Sequence, residues 1–354
     1  MYDFHKAEII NTPPTELSKN KLLEFIIDCN MQTGELKEHI REAKFNQLEF
    51  NIFCNKFINL SGSFHKYHNS ANHNHNDYAL SDFYRTLIDL DKKFNINPFN
   101  ALLHNLEVGV NIKLPFETKV FLNSILSFKG KEYELDTFRG RGYMLRFVFD
   151  QYELKIYDKG LQYQLKDNVL RFEIKVRKMY YLESKGVFIF NYPDLLDARN
   201  IERLKQILLK SFDSLLVFDN TINLNKIKNK KERDILTNGS NPKFWVNLKS
   251  NNKNTYKKKR DHFKKLVSKY SDTKQTVRNI LYSKLDAVTT IDSNLEKKVK
   301  ELLIQKGFKT VPDLTESKTS AIQFNGTQYN SSSIWLNQYL FTKHRIFGRV
   351  EVLL

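Results

Sequence analysis

The chain lacks the features that mark secreted, disulfide-bonded and membrane-spanning proteins. Among its 354 residues only Cys29 and Cys54 are cysteines, too few for a disulfide framework and without the spacing of a zinc site. No run of about 18 apolar residues is present, so no membrane span is expected. The N-terminus, Met-Tyr-Asp-Phe-His-Lys, lacks the apolar stretch of a signal peptide. These absences favour a protein of a reducing cytoplasm.

The motifs of several enzyme classes are missing as well. No glycine-rich loop ends in Gly-Lys-Ser/Thr, and Arg139-Gly-Arg-Gly142 is too short for a dinucleotide-binding fingerprint. The sequence also has no Ser/His/Asp nucleophile elbow and no zinc-binding cysteine pair. Any chemistry must therefore come from side chains outside these motifs.

Acidic residues are few relative to basic ones. The chain has 57 Lys and Arg against 40 Asp and Glu, a formal net charge of +17. Residues 226–265 alone hold 14 Lys and Arg against three acids, a local charge of +11. An AT-rich genome that encodes Lys and Asn freely would explain the abundance of lysine but not this local excess. A polyanionic partner is expected, most often a nucleic acid.

Alternation of apolar and polar residues predicts a β-sheet. The clearest strand covers 105–114, and two more lie between Leu154 and Arg177. The link from Tyr163 to Val169 is too short for a crossover helix, so those two strands should pair antiparallel. Weaker strand patterns cover 47–65 and 138–150. Helical spacing of apolar residues predicts helices over 16–45, 80–95, 120–128, 201–217, 254–270, 274–285 and 294–306.

These elements predict an α+β fold with a central antiparallel sheet flanked by helices and a basic helical C-terminal region. The predicted division is a catalytic domain over 1–220, a basic linker or exposed connection over 221–253, and a helical basic domain over 254–354.

Three reactive side chains lie on the polar faces of the predicted strands. Glu107, Tyr157 and Glu173 each alternate with apolar neighbours, so a sheet covered on one face would bring them together on an open surface. Lys155 and Lys159 beside the tyrosine would favour its phenolate form. Carboxylates suit Mg²⁺ or Mn²⁺. The alternative for these residues is ordinary cross-strand pairing with Lys or Arg.

Two further groups could bind metal or DNA. His73 and His75 lie in a polar, histidine-rich loop and could ligate a metal or simply be solvated. The basic residues that could contact phosphates lie on the third strand and in the C-terminal region: Arg171, Lys175, Arg177, Lys257, Lys258, Lys259, Arg260 and Lys264. Trp245 could stack on exposed bases or pack in the C-terminal domain.

Three sequence blocks resemble the replication-initiation proteins of small phages and rolling-circle plasmids. They are His104-Asn-Leu-Glu-Val-Gly-Val-Asn-Ile112, Lys155-Ile-Tyr-Asp-Lys-Gly160 and Leu170-Arg-Phe-Glu-Ile-Lys-Val176, in that order. The chain is most similar to phage-type members found in Bacteroidetes-like genomes. The resemblance covers about residues 60–220. It departs from the family pattern at Glu107 and Asn111, where an Asp pair is more usual, and in lacking a compact His-hydrophobe-His strand.

The resemblance implies an origin-specific nickase with the family's fold, located in the bacterial host cytoplasm if a phage encodes it. Tyr157 would attack the DNA, remain linked to the 5′ phosphate and leave a 3′ hydroxyl for a polymerase, with Glu107 and Glu173 at a divalent metal. The DNA would be a hairpin or single-stranded at the nick, and a host helicase could be recruited. The rival nucleophiles are Tyr163, Tyr180 and Tyr181. The competing functions are a non-catalytic DNA-binding regulator and a relaxase or transposase.

Overall fold

A nine-stranded antiparallel sheet with helices packed against it forms the centre of the structure, a computed structural model. The structure describes residues 1–36, 39–138, 141–251, 253–290, 294, 297–298, 301, 322–324 and 327–329. Every neighbouring pair of its strands runs antiparallel. The predicted fold class, an antiparallel sheet flanked by helices, is therefore confirmed.

The strands of this sheet are β1 (Tyr2–Ile9), β2 (Ile40–Phe45), β3 (Leu48–Phe53), β4 (Phe57–Ser63), β5 (Ala101–Lys113), β7 (Glu134–Phe138), β8 (Arg141–Val148), β9 (Tyr152–Asp158) and β10 (Val169–Val176). In the sheet these strands lie in the order β2-β3-β4-β1-β5-β10-β9-β8-β7. Two shorter strands, β6 (Ile125–Phe128) and β11 (Leu215–Val217), pair with each other. The helices are α1 (Pro14–Ser18), α2 (Phe64–His68), α3 (Leu80–Phe94), α4 (Thr118–Ser124), α5 (Lys159–Tyr163), α6 (Tyr180–Glu183), α7 (Ala198–Ser214), α8 (Lys230–Gly239), α9 (Pro242–Asn251), α10 (Lys253–Tyr270) and α11 (Thr273–Thr289).

The apolar face of the sheet forms the core with helices α3 and α7. Phe172 on β10 packs against Phe212 of α7 at a ring distance of 5.6 Å. Tyr2 on β1 packs edge-on against Phe83 of α3 at 5.0 Å. Burial of such large rings is the main stabilising term of the fold. The amphipathic helices α3 and α7 agree with the predicted helices over 80–95 and 201–217.

Two units can be distinguished along the chain. The first comprises residues 1–196 and 200–290, and the second comprises residues 197–199 and 291–354. In the second unit the described residues include a hairpin of β12 (Ile322–Phe324) and β13 (Thr327–Tyr329). The predicted helix over 294–306 falls outside the described residues except at positions 294, 297–298 and 301, which are helical. Within the described part of the chain, none of the helices has the length and hydropathy of a transmembrane span.

One predicted helix was wrong, and a second extended too far. The predicted helix over 16–45 is instead the single turn of α1, a series of turns, and strand β2. Leu22, Ile26 and Leu36, apolar residues whose spacing suggested the helix, are exposed, so that spacing does not correspond to a buried face. The predicted helix over 120–128 ends at Ser124, where the chain enters β6.

The segment 221–253, predicted to be a linker, contains helices α8 and α9. These two helices and α10 share one apolar cluster, in which Leu236, Trp245 and Phe263 are fully buried. All three helices belong to the first unit. Their frequent Lys and Asn residues lie on the outside, which is why the composition resembled that of an exposed connection.

Candidate active site

Three rows of cross-strand neighbours place polar side chains on one face of the central strands. The strands β5, β10 and β9 are adjacent, and their registers define the rows. The rows are Glu107–Lys175–Glu153, Gly109–Glu173–Lys155 and Asn111–Arg171–Tyr157. The sheet therefore brings together Glu107, Tyr157 and Glu173, as the alternation in the sequence predicted.

A β-bulge adds a residue that the sequence analysis missed. Tyr2 pairs with Val108 and His5 with Leu106, so Asp3 and Phe4 stand together opposite the single residue Glu107. A bulge redirects side chains and is common beside active sites. Here it accompanies the approach of the Asp3 carboxylate to those of Glu107 and Glu173. Because the bulge interrupts the alternation of β1, no simple period in the sequence could reveal Asp3.

Asp3, Glu107 and Glu173 form a buried carboxylate trio. One oxygen from each lies within 4.8 Å of the others, and all three residues are buried. Among the described residues it is the one such group of three or more acidic, His or Cys ligands. His73 and His75, predicted as further ligands, are not part of it.

Basic side chains of the same face pair with the trio. The Lys155 ammonium donates to Glu107 at 2.8 Å and to Glu173 at 3.2 Å. Arg171 donates through Nε to Glu173 at 2.8 Å and through its terminal nitrogen to Asp3 at 3.3 Å. The Lys175 ammonium lies 3.2 Å from Glu107. The protein thus supplies enough positive charge to balance three buried carboxylates.

The two glutamates respond to this environment in opposite directions. Burial, with the nearby charge of Glu173, raises the pKa of Glu107 above its ordinary value. Burial acts in the same direction on Glu173, but the Lys155 and Arg171 charges prevail and lower the pKa of Glu173 to about 2. Glu173 is therefore ionised across the physiological pH range, and Glu107 is the carboxylate that protonates more readily.

The donor set fits a hard divalent cation. Carboxylate oxygens are the ligands that Mg²⁺ and Mn²⁺ prefer, and three of them converge here. An ion at this position would share the carboxylates with Lys155, Arg171 and Lys175, which already contact them. The trio can therefore hold a metal ion, in competition with three of the protein's own cations.

Tyr157 is next to the trio and is largely buried. Its side chain is only 5% exposed, and its cross-strand partner is Arg171. The Lys159 ammonium donates to the Tyr157 hydroxyl at 3.5 Å. Burial, followed by the charge of Glu173, raises the pKa of Tyr157 well above its ordinary value. Burial lowers the pKa of Lys159 to about 8. Lys159 is therefore the cation at the phenol oxygen, whereas Lys155 is bound to the carboxylates.

A histidine-rich loop, residues 69–77, covers the polar face that the sequence analysis expected to be open. Asn74 holds it in place: its amide donates to Asp3 at 2.6 Å, and its side-chain oxygen accepts from Tyr163 at 2.9 Å. The Asn111 amide donates to the Asn74 carbonyl at 3.0 Å. His73 and His75 stack on each other with ring centroids 4.0 Å apart. The expected open surface is thus closed by polar contacts between this loop and the sheet.

The rival tyrosines differ in their access to the site. Tyr163, at the end of α5, is half-buried and its ring lies 5.1 Å from both the His75 ring and the Lys159 ammonium. Tyr181 stacks on Tyr152 at 4.2 Å. Tyr152 lies on the same face of β9 as the apolar side chains of that strand. Tyr181, which stacks on Tyr152, therefore lies on the opposite face of the sheet from Tyr157. Tyr180 is 63% exposed on α6. Of the three rivals, Tyr163 is the one placed beside Tyr157.

Several residues predicted to bind DNA have internal partners. The Arg171 side chain is only 3% exposed and is fully engaged within the sheet. Arg177 pairs with Glu153 at 2.9 Å, and Lys175 pairs with Glu107. Lys264 is half-buried and donates to the Asp213 carbonyl at 2.7 Å. The phosphate contact predicted for Arg171 is corrected, because the site's own carboxylates occupy its guanidinium.

The stacking role predicted for Trp245 is also corrected. The ring is 1% exposed and packs edge-on against Phe263 at 5.1 Å, so it belongs to the core of the helical region. By contrast, Lys257, Lys258 and Lys259 are exposed on α10. Arg260 is half-buried and donates to Asp261 at 2.7 Å.

Comparisons with known proteins give little further information. No family model and no curated protein matches the chain. Among solved structures, a rolling circle replication initiator protein from Geobacillus stearothermophilus matches with 12% identity and a TM-score of 0.36. The match covers 68% of this chain and 96% of that one. A likeness of this size supports no inference about function, which must be argued from the site.

Proposed function

We propose that the protein is a replication initiator that nicks one strand of DNA at an origin through a tyrosine nucleophile. The observation that carries the proposal is the convergence of Tyr157, Lys159 and a buried carboxylate trio on one sheet face. A phenol, a base and oxygen ligands for a divalent cation are the groups that phosphodiester transfer by tyrosine requires. The product would prime rolling-circle replication.

The proposed reaction is a transesterification. The Tyr157 oxygen forms a bond to phosphorus as the bond from phosphorus to the 3′ oxygen breaks, giving a 5′-phosphotyrosine and a 3′ hydroxyl. The phenol proton passes to the neutral amine of Lys159, 3.5 Å away, and from there to the departing 3′ oxygen. Arg171, the cross-strand neighbour of Tyr157, adds positive charge beside the reacting oxygen.

Asp3, Glu107 and Glu173 are the proposed ligands of a divalent ion, Mg²⁺ or Mn²⁺. When bound, the ion would supply charge neutralisation for the phosphate. Binding can be measured without any reaction, because an ion that binds only the folded state raises the melting temperature. We expect MnCl₂ to stabilise the wild type and to have a much smaller effect on Asp3→Asn. Equal stabilisation of both proteins would remove Asp3 from the ligand set.

We propose that the loop of residues 69–77 moves when DNA reaches Tyr157. The tyrosine is 5% exposed, and Asn74 ties the loop to Asp3 of the trio and to Tyr163, whose ring shares the Lys159 ammonium with the ring of Tyr157. The contacts of Asn74 are hydrogen bonds of modest net strength, so a strand that offers phosphates to the same groups could replace them. A single-stranded or hairpin segment is the proposed substrate, because a phosphate must enter a narrow, buried site.

The test uses supercoiled plasmid carrying the origin region, incubated with the full chain and Mn²⁺. We expect nicked circles and a covalent protein–DNA adduct that resists denaturation. Tyr157→Phe should abolish the adduct while DNA binding persists. Tyr163→Phe is the matched control and should retain the adduct. If Tyr163→Phe loses the adduct and Tyr157→Phe keeps it, the nucleophile is Tyr163.

A non-catalytic DNA-binding regulator is the second candidate. Lys155 and Arg171 neutralise carboxylates of the trio. Such internal ion pairing is what a purely structural network would need, and it favours this second candidate. DNA binding without nicked product or adduct under any divalent ion would establish this alternative. A relaxase or transposase would form the same adduct, and it would differ in rejoining the strand to a second DNA. Of these candidates, only an initiator would recruit a helicase or polymerase, in the cytoplasm of a bacterial host.

A further inference from the structure

Helices α8, α9 and α10 form a small three-helix region with a shared apolar core. A turn of two residues, 240–241, joins α8 to α9. The Trp245 indole donates to the Gly239 carbonyl at 2.7 Å, which ties α9 to the end of α8. A Cβ atom on Gly239 would lie 2.3 Å from the Phe263 ring, so α8 approaches α10 as closely as glycine allows. The orientation of α9 is therefore set by its packing.

One face of α9 is left exposed. Lys243, Val246, Asn247 and Ser250 are all exposed, and their spacing of three, four and seven residues places them on a single helical stripe. Val246 is 37% exposed. The buried side of the same helix is anchored by Trp245. The stripe combines amide, hydroxyl, ammonium and branched apolar groups with just one charge.

The surroundings of this stripe are strongly basic. Residues 226–265, which include all of α8 and α9, carry a net charge of +11. Lys257, Lys258 and Lys259 are exposed on α10, and the Lys259 ammonium lies 5.8 Å from the ring of Phe244 on α9. Lys230 and Lys231 are exposed at the start of α8. The partner that such a region fits is a polyanion.

We propose that α9 enters the major groove of duplex DNA and reads base edges through Lys243, Val246, Asn247 and Ser250, while the exposed lysines of α8 and α10 contact phosphates. A major groove about 12 Å wide admits one helix, and these side-chain types are those that discriminate bases there. Asn pairs with adenine, Lys with guanine, Ser with either, and a methyl group contacts thymine. The inference rests on the proposed function only in that both require DNA.

The experiment is selection from a pool of randomised DNA duplexes with the full chain, followed by binding measurements on the enriched sequence and a scrambled one. We expect the wild type to enrich a defined sequence. Lys243→Ala with Asn247→Ala should lower the preference for the enriched over the scrambled duplex by about 5- to 150-fold for each base that the variant no longer contacts. Its affinity for the scrambled duplex should change far less.

The matched control replaces exposed residues of the same types outside the stripe. Asn238→Ala with Lys265→Ala removes one amide and one charge from α8 and α10, and it should keep the wild-type sequence preference. Enrichment of no sequence by the wild type, or the same enriched sequence from the α9 variant, would overturn the proposal. Nicking is not needed for this readout, so a chain that selects a sequence but forms no adduct refutes only the nicking proposal.

Discussion

At the scale of single residues, the site depends on a close contact between two strands that leaves no space for a side chain at position 109. Gly109 faces Glu173 across β5 and β10, and a Cβ atom at Gly109 would lie 2.4 Å from the Cβ of Glu173 and 2.4 Å from the Phe172 carbonyl oxygen. Glycine at this position therefore lets the strand pair close and brings Glu173 near Glu107. The close approach of the β5 backbone to β10 is therefore as necessary for the trio as the three carboxylates are.

Gly109→Ala should consequently damage both the fold and the site. We expect it to lower the free energy of unfolding by about 1–3 kcal/mol, because the strands must separate to admit the methyl group. It should also weaken the stabilisation by Mn²⁺, because Glu173 moves. Thermal melting with and without MnCl₂ measures both effects. Gly34→Asn is the control: an added Cβ there meets nothing within 4 Å, and asparagine tolerates positive φ. Wild-type melting behaviour in Gly109→Ala would show that the β5–β10 pair accommodates a side chain at this position.

Lys159 gives the proposed reaction a pH dependence. Burial lowers the pKa of this lysine to about 8, so the amine that would accept the phenol proton is mostly charged below that pH and mostly neutral above it. The single-turnover rate of adduct formation should therefore rise with pH, reach half of its maximum near pH 8 and level off above that pH. Lys159→Met should be slow and lack the rise, whereas Lys166→Met, at an exposed lysine, should follow the wild type. A rate that falls from pH 7 to pH 9 would exclude Lys159 as the base.

At the scale of the elements, the strands β8, β9 and β10 are joined at one end by a buried glutamate. The Glu153 side chain is 2% exposed and accepts hydrogen bonds from Arg146 of β8 and from Arg177, which follows β10. Although burial opposes it, these two arginines lower the pKa of Glu153 below its ordinary value. The contact links three strands beside the site and uses Arg177, which the sequence pattern had assigned to DNA.

Glu153→Gln should reveal how much this junction contributes to stability. We expect a loss of about 1–3 kcal/mol at neutral pH, because both arginines lose a charged partner in a buried setting. The folded-state pKa lies below the unfolded value of about 4.3, so the stabilisation is present above that value and is lost as pH falls through the folded-state pKa. Urea unfolding of both proteins across this range should show their stabilities converging in acid.

The control for that comparison is Glu49→Gln. Glu49 pairs with Lys44, but their side chains are 49% and 73% exposed. An exposed pair contributes little, so this change should have a small effect at every pH. If Glu153→Gln behaves like Glu49→Gln, the junction is held by strand pairing and apolar packing alone.

Helices and strands can be predicted from the sequence where one face is buried and the alternation or helical spacing of apolar residues is uninterrupted. Strands β5, β9 and β10 and helices α3, α7 and α10 follow from alternation or helical spacing. Residues 20–39 could not be predicted, because apolar residues such as Met31 remain exposed. Asp3 was missed because the bulge in β1 breaks the period, and the covering loop was missed because Asn74 acts through contacts distant in sequence. Tertiary contacts of this kind leave no local signal.

At the scale of the whole molecule, positive charge is concentrated on the helices α8 to α10 rather than on the strands that carry the trio. Within the sheet the basic groups Lys155 and Arg171 are balanced by internal carboxylates. The excess of +11 over residues 226–265 lies on helices α8 to α10 and the segments flanking them. The molecule thus separates a charge-balanced site from a charged exterior, and long-range attraction of DNA is expected to come from the helices.

Replacing Lys257, Lys258 and Lys259 by glutamine should therefore change the salt dependence of DNA binding. Removing one lysine–phosphate contact makes the slope of log K against log salt less negative by about 0.9 on duplex DNA, so removing three should change it by up to about three units. Fluorescence anisotropy with a duplex over a range of NaCl concentrations measures the slope. The triple replacement of the exposed Lys19, Lys21 and Lys56 alters net charge equally and should leave the slope near that of the wild type. Equal slopes in the two triple variants would show that net charge, rather than the surface of α10, determines binding.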